Sequence, residues 1–344
     1  MMNCHEIGSR KIGIGQPMMI IAEIASAHEG RLDDMFKLID FANETGADAV
    51  KFQVLNLESH MTKKHEIFDL VGTLEFSCDE WLSIMKYARE KTDMIIMTDV
   101  YDLVSVQTVK EMNPDLVKIH SADLNNKGLV EAVALLNKPT MIGFGASTVE
   151  EIRKSIQFFR QKNKTSFLSL MHGYQGFPTK IEDMNISQLK SYADLFSLPM
   201  GFLDHTEGDT EESLYLAIAA RAIGAFAVEK HIVLNRADKG IDYQSALSMD
   251  YFKRFIKQIR KTELALGNNK PTPISEGEQR YRDFMKKSIV AKTLIRKGEV
   301  LSFENLALKR TSGALPQEMY DMLIGKEAKF DIEKNENITL NNVN

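Results

Sequence analysis

Eight short, mainly apolar runs rich in β-branched residues recur along the chain, at 18–24, 47–53, 94–98, 115–121, 139–145, 166–172, 199–204 and 225–231. Between most of them lie amphipathic stretches with a helical period, such as 33–44, 78–90, 148–161 and 211–223. A strand that is apolar on both faces needs cover on both, and a helix after each strand supplies it in a parallel sheet. Eight such units over roughly 250 residues fit a (β/α)8 TIM barrel better than an open sheet, so the expected fold class is α/β. Local signals agree. Ser147-Thr148-Val149-Glu150-Glu151 reads as a capped helix start, and Gly46 and Gly224 stand just past helical runs, where a left-handed residue closes the last turn.

The texture changes after Gly267. Asn268-Asn269-Lys270-Pro271-Thr272-Pro273 cannot continue a helix, because each proline removes a donor and restricts its predecessor. Strand-like pieces then follow at 288–293, 298–301 and 306–309. The expected organisation is a barrel over 1–267, a linker over 268–284 and a small β-rich domain over 285–344.

Composition removes several classes. The chain has 344 residues and a formal net charge of −5, with 43 basic and 48 acidic residues interspersed, which argues against a general nucleic-acid surface. Cys4 and Cys78 are the two cysteines; they cannot build a disulfide framework and lack zinc-site spacing. No run approaches the roughly 18 apolar residues of a membrane span, and the N-terminus lacks the apolar core of a signal peptide. These features predict a cytoplasmic protein working without membrane or nucleic acid.

In such a barrel, reactive groups lie at the C-terminal ends of the strands. Those ends carry Glu23, Lys51, Gln53, Thr98, Lys118, Ser121, His172, Asp204, His205, Glu229, Lys230 and His231. Buried charge must be paired or bound, so their accumulation is informative as a set. His205 and His231 close neighbouring strands. Two imidazoles there could share a divalent metal completed by water or substrate oxygens, which suits Mn²⁺ or Mg²⁺ better than structural zinc, or they could be hydrogen-bonded rim histidines. Lys51 and Lys118, with the Thr98 and Ser121 hydroxyls, could cradle a phosphate. Equally, each lysine could only pair with a nearby acid such as Glu23 or Asp123. Gly143-Phe144-Gly145 could bring backbone N–H groups to a ligand or be a tight turn, and His28 could line the mouth or be an ordinary loop residue.

In order and spacing, Ile21-Ala22-Glu23-Ile24 with His28-Glu29-Gly30, Val50-Lys51-Phe52-Gln53, Lys118-Ile119-His120-Ser121, Phe177-Pro178-Thr179, Asp204-His205-Thr206 and Glu229-Lys230-His231 resemble the sialic acid synthase family. Ile295-Arg296-Lys297-Gly298-Glu299-Val300-Leu301 and Leu308-Lys309-Arg310 look like its C-terminal antifreeze-like (SAF) domain. The resemblance covers nearly the whole chain from residue 18. It implies an enzyme condensing phosphoenolpyruvate with an open-chain N-acyl hexosamine to a nine-carbon 2-keto-3-deoxy sugar acid. It also implies His205 and His231 as ligands of a divalent metal, Mn²⁺ before Mg²⁺. Lys51, Thr98, Lys118 and Ser121 match phosphate-binding positions; Glu23, Gln53 and Asp242 match positions near the sugar and reacting atoms. Arg310 matches an arginine given to the partner's site in a domain-swapped homodimer. The family pattern is altered at Gly143, Gln175, Phe177 and Leu203, which removes hydroxyls and an asparagine amide, and the changes at Gly143, Gln175 and Leu203 bear on carboxylate recognition. Two other readings stay open: a carbon–carbon bond-forming barrel with another donor or a shorter sugar, and a non-catalytic sugar-binding barrel.

Overall fold

A computed structural model of the chain describes residues 5–8, 10–13, 15–267 and 271–344. Cys4 and the Asn268-Asn269-Lys270 stretch lie outside the described residues. The chain divides into two compact units, Met1–Asn268 and Asn269–Asn344.

The first unit opens with an antiparallel hairpin, β1 (His5–Ile7) and β2 (Arg10–Ile12). Eight parallel strands follow: β3 (Met19–Glu23), β4 (Ala49–Val54), β5 (Ile95–Val100), β6 (Leu116–Ile119), β7 (Thr140–Gly143), β8 (Leu168–His172), β9 (Met200–Asp204) and β10 (Ala227–His231). They pair in sequence order, and β10 returns to β3 to close the barrel. Each overlaps one of the runs read from the sequence, so the α/β barrel is the fold. Helices such as Leu32–Thr45, Cys78–Lys91, Val149–Lys162 and Glu212–Ala222 cover the outside. Thr148 caps Val149–Lys162 reciprocally with Glu151, and Gly46 ends Leu32–Thr45 at φ +85°.

Alternation along the strands sorts the core into two layers. Outward residues, among them Ile20, Val50, Ile96, Val117, Ile142 and Val228, pack against the helices. Inward residues, among them Met19, Ile21, Ala49, Met97, Leu116 and Met141, fill the barrel axis. The hairpin was not anticipated from the sequence, being only two three-residue strands. Its Ile7 and Ile12 join the inward cluster with Met19, Ile95 and Phe226 at the strands' N-terminal ends, which closes that end of the barrel.

The second unit contains a helix, Glu276–Met285, opened by a Ser275–Glu278 capping box. It lies in the stretch expected to be linker: the sequence reading missed it because the helix is polar and buries no residue. β11 (Ser288–Ala291) and β12 (Leu306–Lys309) pair antiparallel over an apolar core that includes Ile289, Ile295, Leu301, Leu323, Ile332 and Ile338. The piece expected as a strand at 298–301 is instead a turn, with Glu299 N–H donating to the Arg296 carbonyl at 2.9 Å and Gly298 at φ +79°, followed by a single bridge from Val300 to Glu327. Among the described residues no helix is long and apolar enough to cross a membrane.

Candidate active site

At the C-terminal ends of the barrel strands the inward positions turn from apolar to ionic. Glu23 on β3 stands in register with Lys51 on β4 and His231 on β10; Asp99 on β5 pairs in register with Gln53 and with Lys118 on β6. These side chains line, or lie just beneath, a cavity of about 200 Å³ that is also walled by Tyr101, His120, Gln175, Phe177, His205 and Asp242.

Two ammonium groups sit among three carboxylates. Lys51 Nζ lies 2.8 Å from Asp99 Oδ2 and 2.6 Å from Glu229 Oε1, and also pairs with Glu23. Lys118 Nζ lies 2.8 Å from Glu229 Oε1 and 3.3 Å from Asp99 Oδ2. All five side chains are buried. Burial alone would pull the Lys51 ammonium down, but Asp99, Glu229 and Glu23 together hold it well above its ordinary value. Burial would lift Glu229, yet Lys118 and Lys51 keep it well below the usual carboxylate range. Glu23 goes the other way: burial, reinforced by Glu229 and Asp99 and opposed by Lys51, raises it to about 8, so its carboxyl is protonated at neutral pH.

The two histidines meet at the same mouth, ring centroids 5.6 Å apart. Burial lowers His205 to about 4 and His231 to about 3, so both are neutral imidazoles. His205 Nδ1 lies 2.8 Å from the Tyr174 carbonyl, which can only accept; Nδ1 therefore carries the proton and Nε2 the lone pair. His231 Nδ1 is buried without a hydrogen-bond partner among the described residues, 3.9 Å from Asp242 Oδ2. Neutral imidazoles with an oriented tautomer, an unsatisfied ring nitrogen and a nearby carboxylate fit a divalent cation. Among the described residues no three His, Cys, Asp or Glu side chains form a complete cage, so water or substrate oxygens would fill the remaining positions.

Other expected residues distribute unevenly. Gln53, Gln175, Phe177 and Asp242 line the cavity, and Phe177 packs on His205 at 4.3 Å between ring centroids. Ser121 lies in an adjoining groove shared with Gly145, Ser147 and Gln175. Gly143 leaves room there, since a Cβ on it would come within 3.3 Å of Ser121 N and 3.6 Å of Lys118 Cε. Arg310 is exposed just past β12 in the second unit. Thr98 does not belong to the mouth. It lies on the outward face of β5 with Ile96 and Val100, its hydroxyl buried and unpartnered, and the inward residue is its neighbour Asp99. His172 is likewise outward, between Phe144 and Tyr192. His28 has the ordinary loop role: its Nδ1 accepts from Gly30 N at 3.0 Å and its ring packs on Phe76.

The sequence reading missed Asp99, Tyr101 and His120, and noted Glu229 without a role. The signal was available in the period of two: Met97, Asp99 and Tyr101 follow one face, as do Leu116, Lys118 and His120. His120 Nδ1 accepts from Ala122 N at 3.2 Å, which leaves its proton on Nε2, and the ring lies 5.1 Å from that of Tyr101.

Comparison with known proteins places this arrangement. The NeuB family model matches residues 38–271, and the SAF domain model matches residues 286–344. An uncharacterised protein of Methanocaldococcus jannaschii is 32% identical over 334 residues, covering 96% of each chain. The N,N'-diacetyllegionaminic acid synthase of Campylobacter jejuni is 28% identical, covering 92% of this chain and 98% of its own. The crystal structure of an N-acetylneuraminic acid synthetase from Leptospira borgpetersenii superposes with a TM-score of 0.75 at 28% identity, covering 82% of this chain and 97% of that one. The NeuB model spans most of the barrel unit and the SAF model most of the C-terminal unit, and the chain belongs to the NeuB family.

Proposed function

We propose that the protein condenses phosphoenolpyruvate with the aldehyde of an open-chain N-acyl hexosamine, of the N-acetylmannosamine type, to give a nonulosonic acid and phosphate. The observation that carries this reading is one cavity lined by two neutral imidazoles and Lys118, with the buried Lys51 in the ion cluster just beneath, in a chain of this family. C3 of phosphoenolpyruvate forms a bond to the aldehyde carbon, water adds at C2, and phosphate leaves by cleavage of its C–O bond. His205 and His231 would hold a divalent cation, with Mn²⁺ favoured over Mg²⁺ by imidazole ligation. Such a cation supplies Lewis-acid polarisation of the aldehyde. Glu23, protonated at neutral pH, gives its proton to the aldehyde oxygen as that becomes a hydroxyl. Lys51 and Lys118 offset the charge of the departing phosphate. Gln53, Gln175, Phe177 and Asp242 position the sugar. Arg310 of the partner subunit contacts the N-acyl group in a domain-swapped homodimer.

The test is phosphate release that requires phosphoenolpyruvate, Mn²⁺ and an N-acyl mannosamine-type sugar together. Absence of release with every amino-sugar aldehyde tried would sink the reading. Light scattering on the same preparation checks the assembly, and a monomer at assay concentration removes the role given to Arg310.

A further inference from the structure

Lys51 and Lys118 are each shared among buried carboxylates, so an anion with two charged ends needs donors besides them. His205 cannot serve, because its Nδ1–H is spent on the Tyr174 carbonyl and its other nitrogen carries the lone pair. His120 can. Its side chain lines the cavity and also the groove shared by Ser121, Gly145 and Gln175, so it stands where the two meet. Its Nδ1 accepts from Ala122 N at 3.2 Å, and a ring nitrogen that accepts from an N–H has no hydrogen of its own, so Nε2 carries it. Among the described residues Nε2–H has no acceptor, and Nε2, unlike the ring nitrogens of His172, is accessible. The ring is held in this pose: the Ala122 N–H fixes one edge, and the Tyr101 ring, itself flanked by His60, packs beside it with centroids 5.1 Å apart. His120 follows Lys118 by two residues on the inward face, about 7 Å along the strand direction.

We propose that His120 Nε2–H donates to the carboxylate of phosphoenolpyruvate while Lys118 meets its phosphate. The proposal deepens the function read above and rests on it. Phosphoenolpyruvate carries both anionic groups on one carbon, so a molecule whose phosphate lies at Lys118 brings its carboxylate to a neighbouring side chain of the same face. An imidazole N–H suits that end. It is directional, and it recognises a charged acceptor without adding a charge to the ammonium and carboxylate groups beneath. His120 thereby makes the site distinguish a phosphorylated enol acid from phosphate alone.

The probes are phosphoenolpyruvate and inorganic phosphate, which lacks the carboxylate. Each is titrated calorimetrically into the full-length protein without sugar, with Mn²⁺, pH and ionic strength fixed. His120→Phe keeps a ring beside Tyr101. His120→Asn keeps a side-chain oxygen that can accept from Ala122 N, as asparagine does at helix starts, but its amide is too short to reach where Nε2 stands. Each variant retains one structural part, and both lose the donor. Both should bind phosphoenolpyruvate about tenfold or more weakly, the worth of a hydrogen bond to a charged group, with phosphate affinity within about twofold of wild type. Unchanged phosphoenolpyruvate affinity in either folded variant overturns the proposal. A parallel loss for the two probes, which a structural role or a contact to the phosphate predicts, overturns it as well. So does a wild type that binds phosphoenolpyruvate no more tightly than phosphate. The two readings fail separately: His120-dependent binding with no phosphate release for any sugar sinks the proposed reaction alone, whereas turnover with unchanged affinity in both variants sinks the role of His120 alone.

Discussion

The barrel buries lysines on both faces of its strands, and they do opposite work. Lys230, outward on β10, has its Nζ 3.2 Å from Asp204 Oδ1, 3.0 Å from the Thr206 carbonyl and 3.1 Å from Thr206 Oγ1. Its three donors are filled by groups of the adjoining strand end, and the arrangement fastens β10 to β9. Lys51 and Lys118, inward, meet three carboxylates, and beside the cavity Asp99 Oδ1 and His231 Nδ1 have no hydrogen-bond partner among the described residues. The outward ammonium has its three donors filled within the strand ends, whereas the inward two are shared among carboxylates beside a cavity. On β10 the two kinds are adjacent in sequence, Glu229 facing in and Lys230 facing out.

The largest expected effect lies on the outward side. Lys230→Met leaves Asp204 buried and unpaired, and should destabilise the protein by about 3–5 kcal/mol. Adding Asp204→Asn removes the stranded charge and should recover most of the loss. Urea denaturation measures both, and phosphate release per folded molecule should stay near wild type. A shift under about 1 kcal/mol would show that this pair is not structural and that the contrast is drawn wrongly.

A pH experiment sharpens the inward side. The folded value of Glu23 is raised from 4.5 to about 8, so the folded state holds a proton that the unfolded chain releases. The associated stability is full below the unfolded value and is lost as pH rises through the folded one. In metal-free protein, wild-type stability should therefore fall between pH 4.5 and about 8 relative to Glu23→Gln, by up to about 1.4 kcal/mol per pH unit. Parallel stability curves for the two proteins would mean that the Glu23 carboxyl is ionised throughout and cannot be the proton donor.

Much of this was legible beforehand, and the failures have one cause. The eight strands announced themselves because burial on both faces leaves nearly continuous apolar runs, and His205 and His231 were found because they end neighbouring strands. The same continuity hides which face a residue takes. Thr98 and Asp99 both end a buried run; alternation puts Met97, Asp99 and Tyr101 on one face, but the structure is what shows that this face is the inward one. The ion cluster was hidden for another reason: Lys118 and Glu229 are 111 residues apart and meet only when the barrel closes. The N-terminal hairpin and the Glu276–Met285 helix escaped because three-residue strands and a polar helix carry little hydrophobic periodicity.

The smallest expected effect tests that assignment of faces. Thr98 and Asp99 are neighbours on β5, yet one points into the helix layer and the other into the mouth. Thr98→Val deletes a buried hydroxyl that has no partner, so stability should change by less than about 0.5 kcal/mol, toward greater stability if at all. Phosphate affinity should stay within about twofold of wild type, a difference under about 0.5 kcal/mol. Asp99→Asn, one residue away, should change that affinity at least several times more. A loss of phosphate binding in Thr98→Val comparable to that in Lys118→Met would turn β5 over. Thr98 would then face the ligand, Asp99 would leave the cluster, and the separation of outward structural charges from inward charges beside the cavity would fail on the strand that displays it most directly.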